Sequence, residues 1–341
     1  MKRIILIAVM SLAAMAASAQ IVSETFTYAH KNGKDLQVDV HYNPSVNVEG
    51  QRPVVMWVYG GGYNDGTRLA AANDWENFKK EFTDQGFVVI APDYRLYFQI
   101  KKAELEAKGK TIEDAAEFYN CFNERGVEAM EWAVEDALDA LGYVLTHDKW
   151  NMNRSLVVAG GGSAGACTTL TAAYRLCNED PDAVARVPKD FRFAGIISNG
   201  GVILQKGPRI LTWKHKPCPM MFYHGGSDPS VPYEGLEMIP DKAYAIGVEQ
   251  IVQDFDRFRI PYFLMISEGA DHIMAGLPQE RNRGEMIDFI KNTVIKGERF
   301  VTKVIETPLD KPRGLIAYFA EKMNLSEEDV WKIIKDLNIG W

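Results

Sequence analysis

Short apolar runs recur along the chain, each closing on glycine, proline or aspartate. Pro53–Tyr59 (PVVMWVY) leads into Gly60-Gly61-Gly62, Phe87–Ala91 (FVVIA) into Pro92-Asp93, and Ser155–Ala159 (SLVVA) into a second glycine run. Phe193–Ser198, Pro219–Tyr223 and Pro261–Ile266 repeat the pattern. Strands that are apolar throughout are buried on both faces, as in a parallel sheet covered by helices. Leu36–Tyr42 instead alternates apolar and polar residues, as a half-exposed strand does. Between the strands the period lengthens. In Val127–Thr146, Met130, Ala133, Val134, Ala137, Leu138, Leu141, Val144 and Leu145 form one apolar face, opposite Glu131, Glu135, Asp136 and Asp139. Arg68–Phe82 and the stretch after residue 163 also read as helices. The alternation predicts an α/β fold: one doubly wound domain, its mostly parallel central sheet covered by helices on both faces.

Two segments break this rhythm. Tyr97–Arg125 is charged and reads as helical; Leu204–Lys216 reads as irregular. In such folds ligands bind beyond the carboxyl ends of the strands, where these insertions would form walls or a partial cap. Val301–Trp341 reads as a helical pair, with Ser326 and Asp329 spaced as a capping box at the start of its last helix.

Met1-Lys2-Arg3, the apolar run Ile4–Met10 and Ala17-Ser18-Ala19 make the basic, apolar and small-residue pattern of a secretory signal. Cleavage near Ala19-Gln20 is expected, and with it a periplasmic or extracellular location. The expected organisation is a signal peptide at 1–19, a catalytic domain at 20–300 and a C-terminal helical appendage at 301–341. The apolar run is shorter than the roughly 20 residues that span hydrocarbon, so no membrane insertion is expected.

Composition is that of a globular chain, 47% hydrophobic and 25% charged. The net charge of -8 becomes -10 once Lys2 and Arg3 are removed, which argues against nucleic acid as a partner. Cys121, Cys167, Cys177 and Cys218 show no CxxC spacing. Export permits disulfides. Cys167 and Cys177, however, lie about 15 Å apart along one helix and cannot bond to each other. Buried thiols are the plainer reading. No metal and no cofactor is expected.

The second glycine run carries the chemistry. Gly161-Gly162-Ser163-Ala164-Gly165 lies between an apolar strand and a helical stretch, the setting that gives a G-x-S-x-G turn its meaning. Small neighbours let the backbone fold sharply and hold the serine clear of the sheet, ahead of a helix N-terminus. The glycines are not followed by Lys-Ser/Thr, so this is no Walker A loop. A serine nucleophile needs a base and an orienting carboxylate. Of the six histidines, His272 stands just past the last apolar strand and is the candidate base; His224 reads as a support for its own turn. Asp228, in the glycine-rich turn after Pro219–Tyr223, is the candidate carboxylate, because Asp271 and Glu268 adjoin the base too closely in sequence. The order Ser163, Asp228, His272 is that of the hydrolases with this turn. Amides of Gly61 and Gly62, with that of Ala164, are candidates for the oxyanion hole. Tyr63, Tyr94, Trp75 and Tyr233 are candidate pocket aromatics.

Together, Gly60-Gly61-Gly62, Ala91–Leu96 (APDYRL), Gly161–Gly165, Asp228 with Val231-Pro232, and His272 resemble the α/β-hydrolase superfamily, in particular its carboxylesterases and hormone-sensitive-lipase-like esterases. Three positions depart from the family pattern: Tyr59 stands where the family usually has histidine, Gly162 where it often has an acidic residue, and Ala166 where it often has glycine. The resemblance implies a secreted serine esterase that forms an acyl-enzyme on Ser163. It also implies small-molecule or polysaccharide ester substrates, with acetyl or feruloyl esters leading, and makes Asp93 and Arg95 structural ion-pair residues. The alternatives are a prolyl-oligopeptidase-type peptidase, which usually needs a further domain; a lipase, which would want an apolar cap; and a silent esterase-like binding protein, which typically lacks a triad member.

Overall fold

The computed structural model describes residues 21–111, 118–307 and 314–336. The predicted signal segment lies outside them. Nine strands form the main sheet: β1 (Val22–Lys31), β2 (Lys34–Tyr42), β3 (Arg52–Val58), β4 (Val88–Pro92), β5 (Met152–Gly162), β6 (Gly195–Asn199), β8 (Met220–Gly225), β11 (Tyr262–Ser267) and β12 (Val301–Glu306). Their spatial order is β1-β2-β4-β3-β5-β6-β8-β11-β12. Only β2 runs antiparallel to its neighbours; the rest pair in parallel. The expected mostly parallel sheet is therefore present.

The longer helices are α1 (Trp75–Asp84), α2 (Tyr97–Ala107), α3 (Glu124–Thr146), α4 (Ala164–Cys177), α5 (Val248–Phe258), α6 (Leu315–Met323) and α7 (Glu327–Asp336). The Asn123 side chain caps α3 by accepting from the amides of Arg125 and Gly126. The apolar face of α3 is buried as its period predicts. Asp136, also on α3, is fully buried among charges: it accepts from Lys31 Nζ at 2.8 Å and from Arg95 Nε at 2.8 Å. Arg95 is thus a structural ion-pair residue through Asp136 and Glu135, and Asp93 through Arg68 at 3.3 Å.

Four readings need correction. The stretch 68–82 is not one helix: a 3-10 turn at Arg68–Ala70 precedes α1. Leu204–Lys216 is irregular only in part, because β7 (Ile203–Lys206) pairs with β10 (Ala243–Ile246), and β10 with β9 (Gly235–Ile239), in a small antiparallel sheet. β1 is an edge strand that the apolar-run pattern does not reveal. The boundary at 300/301 falls ahead of β12, which belongs to the main sheet; among the described residues of the tail, helix begins at Leu315.

Candidate active site

Four functional turns leave the carboxyl ends of β3, β5, β8 and β11, strands that lie on either side of β6. The turn after β5 is the sharpest. Ser163 has φ 54° and ψ -125°, a strained conformation for a residue with a side chain. Its amide donates to Asn199 O at 2.9 Å, and its carbonyl accepts from Cys167 N at 2.9 Å, so sheet and helix both hold the strain. Gly165 makes this turn possible: a Cβ there would lie 2.0 Å from Val58 O and 2.7 Å from Tyr59 O.

Ser163 Oγ lies 2.7 Å from His272 Nε2, and His272 Nδ1 lies 2.7 Å from Asp228 Oδ2. The structure thus brings together the three residues chosen from the sequence. Asp228 and His272 are both buried. Asp228 uses its other oxygen, Oδ1, to accept from the amides of Ser230 and Val231, both at 2.9 Å, which fixes the turn around it. His224 braces the same turn, its Nε2 donating to Val231 O at 2.8 Å. Burial lowers the pKa of His224 and keeps its ring neutral beside Asp228.

Burial alone would raise the Asp228 pKa. The hydrogen bond and charge of His272, and the Val231 amide, outweigh it and hold the carboxyl below its usual value. A depressed folded-state pKa stabilises the fold above the unfolded value, near 3.9, and that contribution is lost as pH falls through the folded pKa. The melting-temperature advantage of wild type over Asp228→Asn is therefore expected to be full at pH 6 and to shrink below about pH 4. An advantage that grows with acidity would contradict the charged, hydrogen-bonded state of Asp228.

Gly61 and Gly62 follow β3 and face the nucleophile turn across one cavity. The amides of Gly61, Gly62 and Ala164 donate to no protein acceptor among the described residues, leaving three N–H groups beside Ser163. Gly61 has φ 111°, and a Cβ on it would sit 2.2 Å from Asp65 O. Two of the candidate pocket aromatics hold this turn in place. Tyr63, nearly fully buried, lines the cavity and donates from its hydroxyl to Ala164 O at 3.1 Å, tying the glycine turn to α4. Tyr94 does not line the cavity; its hydroxyl donates to Tyr59 O at 3.2 Å, and its ring stacks on Tyr59 with centroids 4.3 Å apart. Tyr59, the departure from the family pattern, is thus half of a stacked pair beneath the glycine turn.

Trp75 and Tyr233 also lie outside the cavity lining. Trp75 packs in the core against Phe78 and edge-on to His41; Tyr233 meets His224 edge-on. Besides Tyr63 and Tyr59, the aromatic walls come from residues that the sequence did not single out: Tyr119 and Phe122 ahead of α3, and Tyr318 and Phe319 on α6. The cavity measures about 990 Å³, ample for a ligand well beyond acetate in size. Of the two insertions expected to wall the cleft, Tyr97–Arg125 does so through Tyr119–Phe122, none of Leu204–Lys216 lines it, and the tail supplies part of the cap instead. The signal in the sequence that could have placed these tail residues at the site is the apolar spacing of Leu315, Phe319 and Met323.

All four cysteines are free thiols. Cys121 and Cys167 line the cavity, and burial pushes both up to about 12, so they are protonated beside Ser163 at neutral pH. Glu135, Asp136 and Asp139 lie close enough together to hold a cation, but Lys31 Nζ occupies that place, 2.6 to 2.8 Å from all three. No described helix is long and apolar enough to cross a membrane.

The comparisons with known proteins agree with this architecture. The family model BD-FAE matches residues 38–120, from β2 through β3, the glycine turn, α1, β4 and α2 to the segment ahead of α3. The esterase Est2 of the planctomycete Thermogutta terrifontis superposes with a TM-score of 0.51 at 16% identity, over 81% of this chain and 92% of that one. Esterase B of Lactobacillus Rhamnosis gives 0.52 at 14%, over 81% and 87%. The Thermogutta enzyme phosphorylated by paraoxon gives 0.53 at 16%, over 81% and 94%. A non-reducing polyketide synthase of Penicillium brasilianum is 30% identical over 166 residues, which is 48% of this chain but only 6% of that protein. The chain has the α/β-hydrolase fold.

Proposed function

We propose that the protein is a serine esterase that hydrolyses carboxylic esters through an acyl-enzyme. The observation that carries this reading is the unbroken chain of two 2.7 Å hydrogen bonds from Asp228 through His272 to Ser163. Ser163 Oγ attacks the ester carbonyl carbon while His272 Nε2 takes its proton. Asp228 holds the tautomer with Nδ1–H and stabilises the imidazolium. The carbonyl oxygen becomes an oxyanion beside the amides of Gly61, Gly62 and Ala164. Collapse expels the alcohol, which takes the proton from His272. Water then enters by the same route, releases the acid and restores Ser163.

Acetyl or feruloyl esters on polysaccharides are the substrates the resemblance favours. The Thermogutta esterase phosphorylated by paraoxon supports an organophosphate-reactive site on this fold. The basic, apolar and small-residue N-terminus supports export and cleavage near Ala19-Gln20. A peptidase of the prolyl-oligopeptidase type would share the triad, and a prolyl-p-nitroanilide separates the two activities. The test is a panel of p-nitrophenyl acetate, butyrate and octanoate, methyl ferulate, acetylated xylan and the anilide. Turnover of esters alone supports the reading. Turnover of the anilide alone, or of nothing, overturns it.

The oxyanion assignment carries its own prediction. Gly61→Ala is expected to lower kcat for p-nitrophenyl acetate about a hundredfold, with a much smaller effect on KM. A matching rise in KM at unchanged kcat would place Gly61 in ground-state binding instead.

A further inference from the structure

We propose that the α6–α7 hairpin is the element that selects the substrate, roofing the cleft with an apolar surface, and that Asp271 is the clasp that ties it to the catalytic histidine. The proposal rests on the esterase reading and deepens it: the substrate carries an apolar group of ring or medium-chain size.

The hairpin has a small core of its own, in which Ala320 and Val330 are buried against Ile316 and Phe319, and it meets the main core through Leu315, Tyr318 and Phe319. Two helices this short do not hold themselves in place. Their position depends on that packing and on ties at the rim of the cleft. Asp271 receives the Leu315 amide at 3.0 Å on Oδ2 and 3.2 Å on Oδ1. Asn73 Nδ2 donates to the Tyr318 hydroxyl at 3.2 Å, that hydroxyl donates to Glu280, and Lys322 pairs with Glu280 at 3.1 Å.

Asp271 has a second role. Its Oδ1 also accepts from Ile273 N at 3.0 Å, capping the 3-10 turn His272–Ala275. One carboxylate therefore anchors both the roof and the turn that carries the base.

The roof turns Leu315, Phe319, Met323 and Ile333 toward the cavity, and Phe122 and Met130 line it as well. An acetyl group would leave these walls wet. A ring or a six-carbon chain would displace water from them, a gain proportional to the apolar area covered.

The experiment compares p-nitrophenyl acetate with p-nitrophenyl hexanoate, and p-nitrophenyl methylphosphonate with its hexyl analogue, on the mature chain. Wild type is expected to show the higher kcat/KM on hexanoate. Phe319→Ala is expected to lower the hexanoate-to-acetate ratio about tenfold. Met323→Ala, at the half-exposed rim and outside the hairpin core, repeats the test without the risk of unfolding the hairpin. Asp271→Ala is expected to lower the same ratio and to speed amide exchange across 315–323. Asp271→Asn retains an acceptor and should restore most of both. Trp331→Ala, at an exposed position of α7 outside the lining, should keep the wild-type ratio. Equal losses on both esters, or an unaltered ratio in Phe319→Ala, Met323→Ala and Asp271→Ala, overturns the proposal. If neither phosphonate labels Ser163, the esterase reading falls instead, and amide exchange in Asp271→Ala still decides whether the clasp exists.

Discussion

Ser163→Ala is expected to lower kcat/KM for p-nitrophenyl esters by about a millionfold and to abolish labelling by phosphonates. The alanine removes the hydroxyl that His272 Nε2 meets among the described residues, and the neighbouring thiols of Cys121 and Cys167 are held protonated by burial. Asp228→Asn is expected to cost about ten-thousandfold. An amide N–H₂ facing Nδ1 favours the tautomer that presents N–H to Ser163, and the base can then no longer accept the proton. The double variant should be no worse than Ser163→Ala alone, because the three residues act as one unit. Steady-state kinetics and mass spectrometry of the phosphonate adduct check both. A loss of tenfold or less on removing Ser163 would mean that another group carries the chemistry.

Gly165→Ala is expected to destabilise the fold by about 4 kcal/mol, at the severe end for a single added methyl. The new Cβ would stand 2.0 Å from Val58 O and 2.7 Å from both Val58 C and Tyr59 O. These are main-chain atoms of β3 and of the glycine turn it feeds, so no side chain can swing aside. Relief requires α4 to move away from β3, which also separates Ser163 from the amides of Gly61 and Gly62. The melting temperature should fall by about 10 °C and residual kcat should fall with it. A variant as stable and active as wild type would show that helix and strand do not approach this closely.

The parts legible in the sequence were those whose reason is local. The serine turn announces itself because a strand, a run of small residues and a helix must follow one another directly to expose a side chain. Asp228 and His272 were legible because each ends an apolar strand. The strands read least well were those ordered by pairing. β12 (VTKVIE) is largely exposed and owes its place to parallel hydrogen bonding with β11, which no burial pattern records. β7, β9 and β10 are only four or five residues long. The pocket aromatics were misplaced for a different reason. A ring's identity states its need for burial and not which side of a wall it takes: Trp75 and Tyr94 satisfy that need behind the site, Tyr318 and Phe319 within it.

The triad also fixes when activity can arise during folding. Ser163 and His272 are separated by 109 positions, and Asp228 and His272 by 44. Asp228 and His272 follow the adjacent strands β8 and β11, but Ser163 follows β5, which joins them only once β6 has docked between β5 and β8. A chain rich in such distant pairings folds slowly, because loop closure must precede the reward of contact. The ester hydrolysis proposed above would therefore report completion of the sheet and not its onset, and a chain still emerging before residue 272 carries a serine with no base beside it.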